Sequence, residues 1–110
     1  MASIVMTSEV LELVAERFKV LAEPARLAIL SALRNAECTV GELVDETGLG
    51  QANVSKHLQL LYAHHFVARR KDGLFVYYRL ADASVFALCD LMCKRITTVA
   101  RARQKLLVGR

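Results

Sequence analysis

Three cysteines carry the most nucleophilic side chains of this 110-residue chain. Cys89 and Cys93 are four residues apart, so a helix would present both thiols on one face. Such a pair predicts a thiolate site for a soft metal or metalloid such as arsenite or cadmium, or a target for a thiol oxidant. The alternative is that both are small buried hydrophobes, as free Cys often is. Cys38 is a third sensing candidate, but it stands alone and a structural role is favoured for it.

Catalysis is not expected. His57, His64 and His65 form no chelating pair on one helix, because two of them are adjacent and the third is seven residues away. The sequence offers no Ser-His-Asp set, no paired carboxylates and no Gly-rich phosphate loop, and the GLG at residues 48–50 fits a turn. We therefore predict that the protein is not an enzyme.

A second group of polar residues has the spacing of a surface that contacts DNA. Residues 51–64 predict a helix with Val54, Leu58 and Leu61 on its buried side and small or polar residues opposite. A basic hairpin follows, with cations within reach of phosphates beside the groove. The expected DNA contacts are Gln51, Ala52, Asn53, Ser55, Lys56, Gln59, Arg69, Arg70 and Lys71.

Charge is distributed unevenly along the chain. Residues 1–50 carry four Lys or Arg and eight Asp or Glu, whereas residues 51–110 carry eleven and three. A basic half is the electrostatic footprint of a protein that binds a polyanion, although a solvated basic face would have the same composition.

Four helices, a hairpin and a fifth helix would position these residues. We predict a helix over residues 8–22, a second beginning at Pro24, and a third opened by a Thr39/Glu42 capping box and ended by Gly48. Strands over 66–70 and 74–80 join around Lys71-Asp72-Gly73. Asp82 would cap a last helix reaching residue 106. Its apolar stripe comprises Val85, Leu88, Cys89, Met92, Ile96 and Val99.

Size and composition predict a single domain that pairs with a second copy. Hydrophobic residues make up 55% of the chain, more than so small a domain can bury by itself. No apolar run approaches the ~18 residues of a membrane span, and no secretory signal is apparent at the start. We expect a cytoplasmic protein with reduced thiols and no membrane partner.

Three segments, in this order and spacing, resemble the ArsR/SmtB family of bacterial winged-helix repressors. They are FKVLAEPARLAIL at residues 18–30, LGQANVSKHLQLL at 49–61 and RRKDGLFVYYRL at 69–80. The resemblance implies a mainly α winged helix-turn-helix with a two-stranded β-wing between the fourth and fifth helices. It places the helix-turn-helix at about residues 39–64, the wing at 66–80, and dimerisation helices at 8–22 and 82–106.

The same resemblance implies a homodimeric repressor of transcription that binds an imperfectly palindromic DNA operator. Several positions depart from the family pattern. Leu74 stands where the wing commonly has a basic residue, Gly50 where the recognition helix usually has a Ser cap, and His65 at a turn that is usually Gly.

The metal sites known in the family are not present in their usual form. Thr39 and Gly41 stand where a third-helix site would have cysteines, and the last helix keeps Asp82 without its histidine partners. Release from the operator through Cys89 and Cys93 is therefore one hypothesis, and a repressor without an inducer is another. The rival of a different class is a winged-helix protein-interaction module that binds no specific DNA.

Overall fold

A computed structural model describes residues 3–108. These residues form five helices and one three-stranded antiparallel sheet. The arrangement is mainly helical with a β-hairpin wing, as predicted. The helices are α1 (Ser8–Leu21), α2 (Pro24–Ala32), α3 (Val40–Thr47), α4 (Gln51–Ala63) and α5 (Ser84–Val108). The strands are β1 (Cys38–Thr39), β2 (Val67–Asp72) and β3 (Phe75–Leu80).

The ends of the first helices follow the predicted signals. The Thr39 hydroxyl accepts a hydrogen bond from the Glu42 amide at 3.2 Å, and the Glu42 carboxylate accepts one from the Thr39 amide at 2.9 Å. Pro24 is the first residue of α2, and Gly48 ends α3 with a φ of 74°. This left-handed conformation is easy for glycine, so the chain can turn sharply between α3 and α4.

The start of α5 differs from the prediction that Asp82 caps it. The helix begins at Ser84, and the Asp82 carboxylate accepts hydrogen bonds from the Ser84 amide at 3.0 Å and from its hydroxyl. Aspartate often bonds the backbone two residues ahead in this way, forming a turn before a helix. Asp82 therefore lies one position before the N-cap and stabilises the turn that leads into α5.

The sheet contains one strand more than the predicted hairpin. β1 pairs with β3, with Cys38 opposite Tyr78 and Thr39 opposite Tyr77, so the order is β1-β3-β2. A strand of two residues is too short to show an alternating pattern, and its partner lies almost forty residues away. No local signal in the sequence therefore indicates this strand.

The hairpin turn also lies beyond the predicted junction. β2 continues through Asp72, and Asp72 pairs with Phe75, which leaves Gly73 and Leu74 as a two-residue loop. Gly73 has a φ of 61°, whereas Leu74 is not among the residues with positive φ. A glycine with positive φ at the first central position is characteristic of the tight type II′ hairpin turn.

One hydrophobic core holds the helix-turn-helix against the sheet. Its most buried side chains come from α2, α3 and α4, with contributions from the hairpin and the first turn of α5. They are Ile29, Leu30, Leu33, Leu43, Val54, Leu58, Leu61, Phe66, Val67 and Val85. No helix in the described part of the chain is both long and apolar enough to cross a lipid bilayer.

Candidate nucleic-acid interface

Helix α4 has one buried side and one bare side. Val54, Leu58 and Leu61 are fully buried and anchor the helix to the core. The other side is exposed, apart from the partly buried Ser55. The exposed residues include five of the predicted contacts, Gln51, Ala52, Asn53, Lys56 and Gln59, and also Leu60, Tyr62 and Ala63. Five of the six predicted α4 residues are thus exposed, and the sixth, Ser55, is partly buried.

The N-terminus of α4 is open to an anion. Gly50 occupies the cap position and has no side chain to accept hydrogen bonds from the first-turn amides. Residues 51–53 of the first turn are exposed. Free N–H groups and the positive end of the helix dipole favour phosphate at such a position.

The two strands of the wing place its three predicted cations on different faces. Arg69 is opposite Tyr78 and Lys71 is opposite Val76, whereas Arg70 is opposite Tyr77. Side chains alternate along a strand and directly paired residues share a face. Arg69 and Lys71 therefore share the face that carries core residues farther along the sheet, and Arg70 points to the reverse.

Arg69 connects the wing to the helix surface. Its guanidinium carbon lies 4.0 Å from the centre of the Tyr62 ring, and Tyr62 belongs to α4. Stacking on an aromatic ring holds the guanidinium in place beside the helix. Tyr62 is thus a residue that positions a cation beside the α4 surface. The sequence does not identify this role, because a tyrosine on a helix has no distinctive spacing.

Arg70 is held by carboxylates of its own protomer. Its Nε lies 3.1 Å from both Glu37 carboxylate oxygens, and a terminal nitrogen forms a further short ion pair with the same carboxylate. The other terminal nitrogen lies 3.5 Å from Asp72, and the guanidinium stacks on Tyr77. The hydrogen bonds from Arg70 lower the pKa of Glu37.

Two arginines fix the helices around the site. Arg26 donates to the Val20 carbonyl and lies 3.3 Å from the Nδ1 of His57, which gives that histidine a structural partner. Arg17 donates to the His64 carbonyl at 2.9 Å and pairs with Asp82 at 3.1 Å. The Ser84 hydrogen bonds and, secondarily, Arg17 lower the pKa of Asp82.

The three cysteines lie in different environments. Cys93 is exposed, and Cys89 is half-buried against the core. Cys38 is half-buried, and its sulfur lies 3.7 Å from the Ala36 carbonyl oxygen and 4.0 Å from that of Ala32. Burial raises the pKa of Cys38, and the Glu42 and Glu46 carboxylates raise it further, which disfavours the thiolate. In residues 3–108, no three metal-binding side chains come together.

Both end helices expose apolar side chains. On α1, Leu11 and Phe18 are about half exposed, and on α5 the predicted stripe is bare from Leu88 onward except for the half-buried Cys89. A cleft of about 230 Å³ lies between the two helices and is lined by residues that include Val14, Phe18 and Leu88. These two surfaces form one apolar face that the protomer leaves uncovered.

Comparison with known sequences places the chain among bacterial regulators. Residues 23–68 match the model of a protein family described as "bacterial regulatory protein, arsR family". The repressor SmtB of Mycobacterium tuberculosis is 42% identical over 74 residues, which are 67% of this chain and 55% of SmtB. The regulator Rv0081 of the same species is 38% identical over 104 residues, 93% and 91% of the two chains. A probable mercury resistance operon repressor of Streptomyces lividans is 36% identical over 74 residues, 67% and 59%.

The chain thus spans little more than half the length of SmtB but nearly all of Rv0081. Among solved structures, the Rv0081 crystal structure superposes with a TM-score of 0.77 at 35% identity, covering 88% of this chain and 98% of Rv0081. The homodimeric winged helix-turn-helix DNA-binding domain Mb0332 of Mycobacterium bovis superposes with a TM-score of 0.71 at 33% identity, covering 86% and 91%. These relatives are transcriptional regulators rather than enzymes, and this chain belongs to the ArsR/SmtB family of winged helix-turn-helix regulators.

Proposed function

We propose that this chain is a homodimeric transcriptional repressor that binds a double-stranded DNA operator with an imperfect palindrome. The observation that carries the proposal is the unequal burial of the two sides of α4. Its apolar side is fully buried, and its polar side is exposed. A polar helix face that is free of the protomer and next to a cationic hairpin is what major-groove recognition requires.

Base edges are assigned to the first two turns of α4. Gln51 and Lys56 have side chains that can donate to acceptors in the major groove, and Ala52 and Ser55 are small enough to allow close approach. Asn53 and Gln59 lie beside them. Phosphates are assigned to Arg69 and Lys71, with a smaller contribution from Arg70, since two carboxylates of the protomer already hold that guanidinium.

A second copy of the chain is proposed to cover the apolar face of α1 and α5. Phe18 is 56% exposed and Ile96 is 60% exposed, and large apolar patches of this kind mark interfaces. The related Mb0332 domain is homodimeric. With two-fold symmetry, the two α4 helices would enter successive major grooves about 34 Å apart.

Fluorescence anisotropy tests the proposal. The probes are labelled duplexes from the DNA upstream of the gene and scrambled duplexes of equal length, titrated between about 50 and 200 mM salt. We expect preference for one upstream duplex and, for about six phosphate contacts, an affinity loss on the order of a thousandfold across this range. Absence of binding, or binding that is insensitive to salt, would favour the protein-interaction module.

Thiol-dependent release is the regulatory part of the proposal. Cys93 is exposed in the protomer, and Cys89 lies one turn away at the edge of the core and within the apolar stripe. Two thiols on one helix supply part of a soft-ion site, and a third donor would have to come from the second protomer. A relative in Streptomyces lividans is named a probable mercury resistance operon repressor. Cys38 is assigned a packing role.

The thiol proposal has its own test. Arsenite, cadmium or mild peroxide should weaken operator binding by the wild type and leave a Cys89→Ser/Cys93→Ser variant unaffected. Cys38→Ser is the matched control and should respond like the wild type. Equal responses from the double variant and the wild type would show that these thiols are not the sensor, with DNA binding itself still in place.

A further inference from the structure

The tip of the wing carries a bare leucine. Leu74 is 97% exposed, and the adjacent Phe75 is 60% exposed. Leu74 makes no contribution to the core, and a polar residue at this position would cost the fold nothing. Single exposed apolar residues are common on protein surfaces, so the position of Leu74 at the end of a basic hairpin, rather than its exposure alone, points to a role in binding.

The shape of the tip limits what can accept this side chain. Gly73 and Leu74 form a two-residue turn between strands that lie about 4.8 Å apart, so the tip is narrow. The minor groove of B-form DNA is about 6 Å wide, too narrow for a helix of about 10 Å diameter. The leucine side chain at the end of this turn, though not the whole hairpin, is small enough to enter that groove.

The charges behind the tip complement DNA. Lys71 and Arg69 share one face of the hairpin behind the tip, and both are exposed. The acidic residue nearest the tip, Asp72, lies 3.5 Å from Arg70, which offsets its charge. Phosphates border the minor groove on both sides, so cations a few residues from the tip lie where the two backbones would pass. The surface area of one exposed leucine and one phenylalanine is, in contrast, far smaller than the roughly 800 Å² that each partner buries in a stable protein interface.

We infer that Leu74 is an apolar wedge that enters the minor groove next to each half-site and opens a base step. Apolar side chains inserted in this way unstack neighbouring base pairs and bend the duplex. Pyrimidine–purine steps unstack most readily, so the wedge would confer a sequence preference at positions that α4 never reaches. The inference rests on the proposed function, because it requires the wing to lie against DNA.

The experiment uses the full-length protein and duplexes selected from a random library with the wild type. DNA bending is measured by energy transfer between dyes at the duplex ends, and base unstacking by 2-aminopurine fluorescence at the wing positions. Leu74→Ala removes the wedge. Leu74→Lys is the matched variant, because it adds a phosphate contact and replaces the branched apolar end of the side chain with a charged one.

We expect the wild type to bend the duplex and to prefer a pyrimidine–purine step at the wing position by about tenfold. Both variants should lose the bend, the 2-aminopurine signal and this preference. Leu74→Ala should bind scrambled duplexes as the wild type does, and Leu74→Lys should bind them more tightly. Bending and step preference that are unchanged in Leu74→Ala, with wild-type DNA binding intact, would overturn the wedge alone. Failure of the wild type to bind any duplex would overturn both the wedge and the proposed repressor.

Discussion

Arg69 and Arg70 are adjacent residues with opposite surroundings. Arg69 stacks on Tyr62 and faces α4, while Arg70 is held by Glu37 and Asp72 on the reverse of the hairpin. The sequence predicts both as phosphate contacts, because two arginines in a wing are equivalent until their cross-strand neighbours are known. Glu37 lies 33 residues from Arg70, and no local pattern links them.

We predict that Arg69→Ala and Arg70→Ala have unequal effects on DNA binding. Removal of one phosphate contact should flatten the slope of log affinity against log salt by about 0.9. Arg69→Ala should show this on specific and scrambled duplexes alike, whereas Arg70→Ala should change the slope less. Glu37→Gln releases Arg70 and should steepen the slope. Equal slopes for the two arginine variants would contradict this division of roles.

The turn between α3 and α4 is predictable at the level of single elements. The capping box at Thr39 and the glycine that ends α3 follow from local conformational preference, whereas a turn at His65 (φ 64°) after α4 is expected only from the family resemblance. β1 and the pairing of Arg70 with Glu37 are not predictable, since both depend on how distant segments meet. The same distinction applies to the candidate site. The exposed residues of α4 are predictable from helical periodicity, but the role of Tyr62 in positioning Arg69 is not.

Two glycines of this segment provide a matched test. Gly48→Ala should lower the free energy of unfolding by about 1–2 kcal/mol, because a side chain disfavours the left-handed conformation. Gly41→Ala should instead raise it by about 0.5 kcal/mol, because an added Cβ would lie an ordinary 3.9 Å from the Thr39 hydroxyl. Urea unfolding followed by circular dichroism measures both. A Gly48→Ala variant as stable as the wild type would show that this turn does not need glycine.

At the scale of the whole molecule, two surfaces remain unused by the protomer. The apolar face of α1 and α5 is suited to a second copy, and the polar face of α4 with the wing is suited to DNA. The first turn of α5 is anchored by the buried Val85 and by Arg34 stacked on Phe86, but residues 90–107 are exposed throughout. Stability of α5 beyond its first turns is therefore expected to depend on the partner.

Ile96→Glu should dissociate the dimer with little change to the protomer, because Ile96 is 60% exposed and contributes nothing to the core. A buried unpaired carboxylate is costly at an interface. Thr98→Glu, which adds the same charge on the opposite side of the helix, is the control. Sedimentation velocity at micromolar concentration should detect monomers for Ile96→Glu and dimers for the control. Dimers for both variants would show that the apolar stripe of α5 is not the interface.

The bare side of α4 is expected to distinguish one DNA sequence from another, and every other assignment depends on it. The decisive experiment compares Lys56→Ala with the wild type on a selected duplex and on its scrambled counterpart, with Lys19→Ala, an exposed cation on α1, as the control. Lys56→Ala should lose about 1–3 kcal/mol more binding free energy on the selected duplex than on the scrambled one, and Lys19→Ala should lose nothing on either. An equal loss on both duplexes for Lys56→Ala would mean that α4 contributes only charge and does not read the sequence.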